Sequence, residues 1–264
     1  MNKILTLITI LAVSMLADIG AAGQRPRMTH SHPDMTEIKK QSTDPASPYY
    51  YPKLLSRFMT NNDSSMTVKE YQYLYYGTMF QEDYDPYRMS PFENEVKQLA
   101  PVYLKREHLS KGECRRIISL AEKVLGDNPL DLRQINYLVY AYKQSGKVNI
   151  ANIWASKLNK LLLTIASSGT GDDTENAWVV VYQSHEYDFF NLSGATVVVT
   201  GSEFVEPYYE KVTVSVGKKD VKTSSHYFDL HHMLEQYYLK HPEELTREAI
   251  KRPTICHCTE HCSF

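Results

Sequence analysis

The spacing of apolar residues changes near Gly171, and this change limits the folds that the chain can adopt. Before Gly171 the apolar residues recur at the 3.6-residue period of an amphipathic helix, whereas after it they follow the two-residue period of a strand. Four β-rich runs come next, separated by glycine and charged residues: AWVVVYQ, ATVVVT, KVTVSV and SSHYFDL. We therefore predict an α+β fold, in which a helical layer over residues 49–168 packs on a small antiparallel sheet over residues 175–232.

The helical region is most regular from Asn128 onward, where the pattern predicts two helices joined at Gly146. Its spacing matches the packing positions of a tetratricopeptide-type helical hairpin, which are occupied here by Leu138, Tyr142, Gly146, Ala151, Ala155 and Leu158. A single hairpin of this kind cannot cover its own apolar face. We therefore predict that it stacks on neighbouring helices in a compact layer.

Local capping signals predict where several helices begin. Thr67 with Glu70, and Ser110 with Glu113, have the spacing of a capping box, in which each side chain bonds the backbone N–H of the other residue. A last helix is predicted within HHMLEQYYLKHPEEL, and Pro242 should end it because proline lacks a backbone N–H.

The two ends of the chain differ in composition from this central part. Residues 1–22 have a lysine, an apolar run and small residues before a cleavage-like position, so they predict a signal peptide and a periplasmic or secreted location. Residues 23–48 contain four prolines and few apolar residues, which predicts a disordered leader. Residues 49–242 then form a single domain, and residues 243–264 form a tail that contains Cys and His.

The overall charge excludes one broad class of function. The chain has 29 Lys and Arg against 31 Asp and Glu, so it lacks the basic excess that is typical of nucleic-acid-binding domains. Its 20 tyrosines have two interpretations: a surface that binds a ligand, or an amphipathic lining of the core in which each hydroxyl finds a partner. No later stretch is apolar enough for a membrane span, and no motif indicates a cofactor.

Six motifs, taken with their spacing, resemble an uncharacterised family of exported Bacteroidetes proteins, domain of unknown function 4919. The motifs lie within about residues 49 to 232 and are YYPKLL, EYQYLYYGTMFQEDYDPY, NPLDLRQINYLVYAYKQSGK, SSGTG with NAW, SHEYD and YFDL. The resemblance implies an exported protein with a helical-repeat portion followed by a small sheet. It implies no activity, because no function is established for that family.

The stretch QSHEYDFF, residues 183–190, is the densest group of chemically active side chains in the central part. If it continues a strand, Glu186 and Asp188 share one face and could share a cation, while His185 lies on the other face. Ser167 or Ser168 with His185 and Asp188 is also the one hydrolase-like set that the sequence permits. The alternative interpretation is a strand end whose polar groups bond nearby backbone or the glycine loop.

The segment SSGTGDDTENAW supplies two of the candidate binding residues, Gly169 and Gly171, and Tyr187 is the third. The two glycines end a helix rather than begin one, which disfavours phosphate binding because anions bind at helix N-termini. The alternative is a turn in which both glycines adopt positive φ and an adjacent Asp173 or Thr174 caps the next segment.

The tail sequence TICHCTEHCSF contains the candidate metal ligands Cys256, Cys258, His261 and Cys262. Thiols oxidise outside the cytoplasm, so a disulfide among the four cysteines of the chain is the first alternative. An unstructured tail is the second.

From these features the sequence predicts a non-enzymatic periplasmic or secreted binding protein without a cofactor. Its partner would be another envelope protein or a glycan. The competing hypothesis is a hydrolase or metal-dependent enzyme centred on His185.

Overall fold

The computed structural model of the chain describes residues 30–61, 63–104, 108–193, 197–217 and 222–244. The predicted signal peptide and the Cys/His tail beyond residue 244 lie outside these ranges. No helix among the described residues combines the length and the apolar character that crossing a membrane requires.

Helices make up the first part of the fold, and a small sheet with two further helices makes up the second. The helices before the sheet are α1 (Met35–Thr43), α2 (Tyr51–Met59), α3 (Val68–Gly77), α4 (Glu93–Leu104), α5 (Lys111–Asp127), α6 (Leu132–Gln144) and α7 (Val148–Ala166). The remaining elements are β1 (Trp178–Val179), α8 (Ser184–Leu192), β2 (Val197–Val205), β3 (Tyr209–Val216), β4 (Lys222–Asp229) and α9 (His231–Lys240), with short 3-10 helices at Thr78–Phe80 and Pro242–Glu244. This arrangement confirms the α+β class.

The predicted capping signals are confirmed at both positions. Complete capping boxes join Thr67 to Glu70 at the start of α3 and Ser110 to Glu113 at the start of α5. Gly146 joins α6 to α7 with φ of 81°, a left-handed conformation that favours glycine. The last helix, α9, ends before Pro242 as predicted. Helix α6 packs against both α5 and α7, while the comparison with tetratricopeptide repeats stays a prediction.

The prediction of a disordered leader over residues 23–48 is wrong from residue 30 onward. Asp34 caps α1 by accepting a hydrogen bond from the Glu37 backbone N–H at 3.0 Å. Met35 and Ile38 lie three positions apart on one helix face, and both are buried in the main core. Two well-placed apolar side chains thus order a segment whose average composition is polar, and α1 packs on α3.

The sheet is mixed rather than antiparallel, with the strand order β1-β4-β3-β2. Strands β2, β3 and β4 form the predicted antiparallel meander, but β1 pairs with β4 in parallel. The reason is α8: this helix carries the chain from β1 across to the opposite edge of the sheet, where β2 begins. The sequence pattern indicates strand or loop in that segment, and it therefore predicts the wrong neighbour for β1.

Eight of the tyrosines are buried among the described residues, as the second of their two interpretations predicts. Tyr71, Tyr75, Tyr76 and Tyr84 are all buried. The hydroxyl of Tyr76 donates to the Thr164 carbonyl at 3.2 Å. Burial raises the pKa of each of these four side chains, because desolvation disfavours the phenolate. These rings are therefore neutral packing elements with a polar end.

Candidate functional site

The stretch QSHEYDFF forms a helix, α8, and not the end of a strand. Its apolar residues fit helical spacing, because Phe189 and Phe190 follow His185 and Glu186 by four positions and all four side chains are buried. The segment is short enough for its apolar positions to fit either period, which is why the strand prediction was wrong. In a helix, residues two positions apart point in different directions, so Glu186 and Asp188 do not share a face.

His185 is held in a buried hydrogen-bond network. Its Nδ1 lies 2.8 Å from the hydroxyl oxygen of Tyr75, and its side chain also bonds the backbone of Leu130. The ring is 1% exposed, stacks on Tyr75 with centroids 5.6 Å apart, and meets the edge of Tyr182. These contacts join α8 to α3 and to the turn that precedes α6. The prediction that His185 bonds the glycine loop is therefore wrong. These contacts do agree with the broader interpretation that the polar groups of QSHEYDFF bond within the fold.

Burial lowers the pKa of His185 to about 3, because a charged imidazolium would lose its hydration; the nearby Arg133 lowers it further. The ring is consequently neutral at pH 7. A general base must keep a lone pair within reach of a substrate proton and have a pKa near the working pH. His185 meets neither condition in this arrangement.

Asp188 is paired with Arg133 rather than with His185. Its Oδ1 accepts hydrogen bonds from Nε of Arg133 at 3.1 Å and from Nη2 at 2.8 Å. Asp188 is buried, whereas the Arg133 side chain is 48% exposed. The pair raises the pKa of the Arg133 guanidinium, and it fastens α8 to α6.

We expect Arg133→Lys to lower the free energy of unfolding by about 1 kcal/mol, because lysine cannot reproduce the two hydrogen bonds of the guanidinium fork. The half-exposed position limits the loss. Urea denaturation at pH 7 measures it, with Arg116→Lys, an exposed arginine on α5, as the matched control. Equal stability of the two variants would contradict a structural role for the Asp188 pair.

Ser168 does not contact His185 and serves as a junction between α7 and β1. Its Oγ donates to the Ile165 carbonyl at 2.7 Å and accepts from the Val179 backbone N–H at 2.8 Å. A nucleophilic serine needs its hydroxyl bonded to a general base. The hydrolase-like set of Ser168, His185 and Asp188 is therefore not assembled.

Glu186 lies on another side of α8, near Tyr87. It is fully buried, as is Glu210 of β3, which accepts a hydrogen bond from Gln183 at 2.8 Å. Burial raises the pKa of Tyr87, and the carboxyl groups of Glu186 and Glu210 both add to this shift. Glu186 and His185 thus contact different neighbours. The side chains predicted as one catalytic set therefore do not converge at one position.

The candidate binding residues Gly169 and Gly171 form a packed turn. The Asn176 carbonyl accepts hydrogen bonds from the backbone N–H groups of Thr170 at 2.9 Å and Gly171 at 2.8 Å. Gly171 has the predicted positive φ, 72°, but Gly169 does not have one. Glycine is needed at Gly169 because neighbouring carbonyls approach its backbone too closely for a side chain.

Tyr187, the third candidate, is half-buried, and its hydroxyl lies 3.0 Å from Oγ of Ser202 on β2. This contact attaches α8 to the sheet. The candidate metal ligands Cys256, Cys258, His261 and Cys262 lie outside the described residues. Within the described ranges, the one group of possible metal ligands is His241, Glu243 and Glu244, whose ligand atoms lie within 4.8 Å of one another.

Two features of charge were missed by the sequence interpretation. Lys157 is buried and donates hydrogen bonds to the carbonyls of Phe58 and Thr60, which lie at the end of α2. Burial lowers its pKa to about 8. No sequence signal marks it, because its carbonyl acceptors lie almost 100 positions away.

The second missed feature is a basic groove between α4 and α5. It has a volume of about 510 Å³ and is lined by Glu95, Gln98, Leu99, Gly112, Arg115, Arg116, Ser119, Leu120 and Lys123. The signal that could have found it is the repetition of cations on one face of α5, at Arg115, Arg116 and Lys123.

The chain belongs to the family called domain of unknown function 4919, whose sequence pattern matches residues 36–239. The match begins within α1, which agrees with the ordered start of the fold and extends the motifs recognised in the sequence. No curated protein and no solved structure matches the chain. The match therefore confirms the predicted membership of domain of unknown function 4919 and assigns no activity.

Proposed function

We propose that this protein is an exported, non-enzymatic binding protein that uses the basic groove between α4 and α5. The observation that supports this proposal is the exposure of the cations that line the groove. Within the described residues, Arg115, Arg116 and Lys123 are exposed and make no ion pair, so they are available to a ligand. Export rests on the signal-peptide pattern of residues 1–22.

The three acidic residues of α5 are not among the residues that line the groove, and each makes a contact elsewhere. Glu113 completes the capping box of α5, and Glu122 accepts a hydrogen bond from the Tyr142 hydroxyl at 2.8 Å. Asp127 forms an ion pair with Arg88 at 2.8 Å. The lining itself contains three cations and one carboxylate, Glu95, so it carries a formal charge of +2 on a protein whose formal net charge is −2.

The contacts of α8 disfavour an enzyme centred on His185. Its ring is buried and neutral, Asp188 is paired with Arg133, and Ser168 bonds backbone groups of α7 and β1. A catalytic site would need these groups to converge on an accessible position.

An affinity experiment on an envelope extract tests the proposal. We expect the wild-type protein to retain a partner that is lost from the variant Arg115→Glu/Arg116→Glu/Lys123→Glu. The matched control is Lys40→Glu/Lys53→Glu/Lys143→Glu, which makes the same charge change at exposed positions outside the groove and should retain that partner. Retention by all three proteins, or by none, contradicts a binding function of the groove.

A panel of esterase, phosphatase and glycosidase substrates tests the competing hypothesis. If the wild-type protein turns over a substrate and His185→Gln abolishes this activity while the fold is retained, the enzyme hypothesis replaces the proposal.

A further inference from the structure

We infer that the basic groove binds a short acidic segment of a partner protein in an extended conformation. This inference rests on the proposed binding function and adds the chemistry of the partner. The residues that would bind the segment are Arg115 and Arg116 near one end of the groove, Lys123 near the other, and the polar side chains between them.

The charge of the groove selects an anion. Three cations line it, and the single carboxylate among its lining residues is Glu95. Lys97, the exposed cation nearest in sequence to Glu95, is already paired with Glu93 at 2.6 Å. An anionic ligand would therefore replace water around cations that have no carboxylate partner among the described residues.

The spacing of the cations fits an extended peptide. Arg116 and Lys123 are seven residues apart on one helix, which corresponds to a rise of about 10.5 Å. An extended chain advances about 3.3 Å per residue, so three residues span the same distance. Acidic residues at the first and fourth positions of a segment would reach the two ends of the groove.

Polar side chains along the groove provide further hydrogen-bonding groups for a peptide. The backbone groups of α4 and α5 are used within the helices, so recognition must come from side chains. Gln98 and Ser119 are exposed and can bond peptide groups between the two ends. Leu99 and Leu120 also line the groove but are only 5% and 7% exposed, so they offer little apolar contact area.

The same features favour a peptide over other anions. Clustered arginines recognise acidic motifs through their guanidinium forks, which pair with carboxylates in a bidentate manner. An amphipathic helix would need a wide apolar groove, and here the two leucines are nearly covered. Single-stranded nucleic acid would need aromatic rings on which its bases stack, and the groove lining contains none.

Fluorescence polarisation with a labelled peptide of four glutamates around a central alanine tests the inference. We expect saturable binding to the wild-type protein that weakens as salt rises, because exposed charge pairs are screened. Arg115→Gln/Arg116→Gln/Lys123→Gln should weaken binding about tenfold, from the loss of three exposed pairs. The matched variant Lys40→Gln/Lys53→Gln/Lys143→Gln should bind as the wild type does.

Glu95→Gln gives a result that a purely structural role would not produce. Removing the like charge should tighten peptide binding about threefold, in the range of one exposed charge interaction. Circular dichroism and a thermal melt of each variant show whether the fold is retained.

Three outcomes overturn the inference: no binding of the peptide, equal binding by wild type and groove variant, or equal binding of a glutamine-for-glutamate peptide. A sulfated oligosaccharide is the second probe. If it binds in a groove-dependent manner and the peptide does not bind, the ligand of the groove is an acidic glycan and not a peptide. If an envelope partner is lost from the groove variant while the acidic peptide fails to bind, the inference fails and the proposed function stands. If no partner depends on the groove, both fail.

Discussion

Lowering the pH from 7 to 4 should destabilise the wild-type protein by about 3 kcal/mol more than a His185→Gln variant. In the unfolded chain a histidine titrates near 6.5, whereas burial lowers the pKa of His185 in the folded protein to about 3. Between these values the unfolded state binds a proton that the folded state does not. The stability present above pH 6.5 is therefore lost as the pH falls toward 3, at about 1.4 kcal/mol per pH unit.

Urea denaturation of both proteins at pH 7, 5.5 and 4 measures this difference. Other shifted groups remain in both proteins and cancel in the comparison. Burial raises the pKa of Asp131 to about 6, so this group acts in the opposite direction, and burial lowers the pKa of His226, which acts in the same direction as His185. Glutamine can still bond Tyr75 but cannot gain a proton in this range. Parallel pH profiles would show that His185 is accessible to solvent.

Gly169→Ala should lower the free energy of unfolding by about 3 kcal/mol, although it adds one methyl group. A Cβ atom at this position would lie 2.2 Å from the Asn176 carbonyl oxygen and 2.6 Å from that of Ala177. Both are backbone atoms, so no side-chain rotation can relieve the contact and the turn itself must move. That movement would also disturb the hydrogen bond from the Trp178 indole to the Gly169 carbonyl, which is 3.0 Å long.

Gly126→Ala is the matched control, because the same change is made where a Cβ atom meets nothing within 4 Å. Gly126 lies near the end of α5 and is exposed. Alanine has the higher helix propensity, so this variant should gain up to about 1 kcal/mol of stability. Thermal and urea unfolding of both variants provide the comparison. A Gly169→Ala protein as stable as the wild type would mean that the turn is not packed as described.

The starts of α3 and α5, the turn between α6 and α7 and the fold class could be predicted from the sequence because their causes are local. A capping box, such as that of Thr67 and Glu70, joins residues three positions apart. The positive φ at Gly146 follows from the single residue type that tolerates it. The alternating pattern of β3 likewise reflects one buried face and one partly exposed face.

The candidate site could not be assembled in the same way, because its contacts join distant parts of the chain. His185 bonds Tyr75 across 110 positions, and Asp188 bonds Arg133 across 55. From the sequence alone, three polar residues within QSHEYDFF suggested one centre of chemistry. In the fold they point to separate neighbours, because helix α8 turns successive side chains in different directions.

By itself, the sequence determined the two-part α+β organisation, the starts of α3 and α5, the turn at Gly146 and membership of the family. Only the tertiary structure decided that α1 is ordered, that β1 lies parallel to β4, and that the cations of α5 line a groove with α4. The physical reason is the range of the interactions. Caps, turns and periodicity act over about four residues, whereas burial and the pairing of polar groups depend on which distant elements pack together.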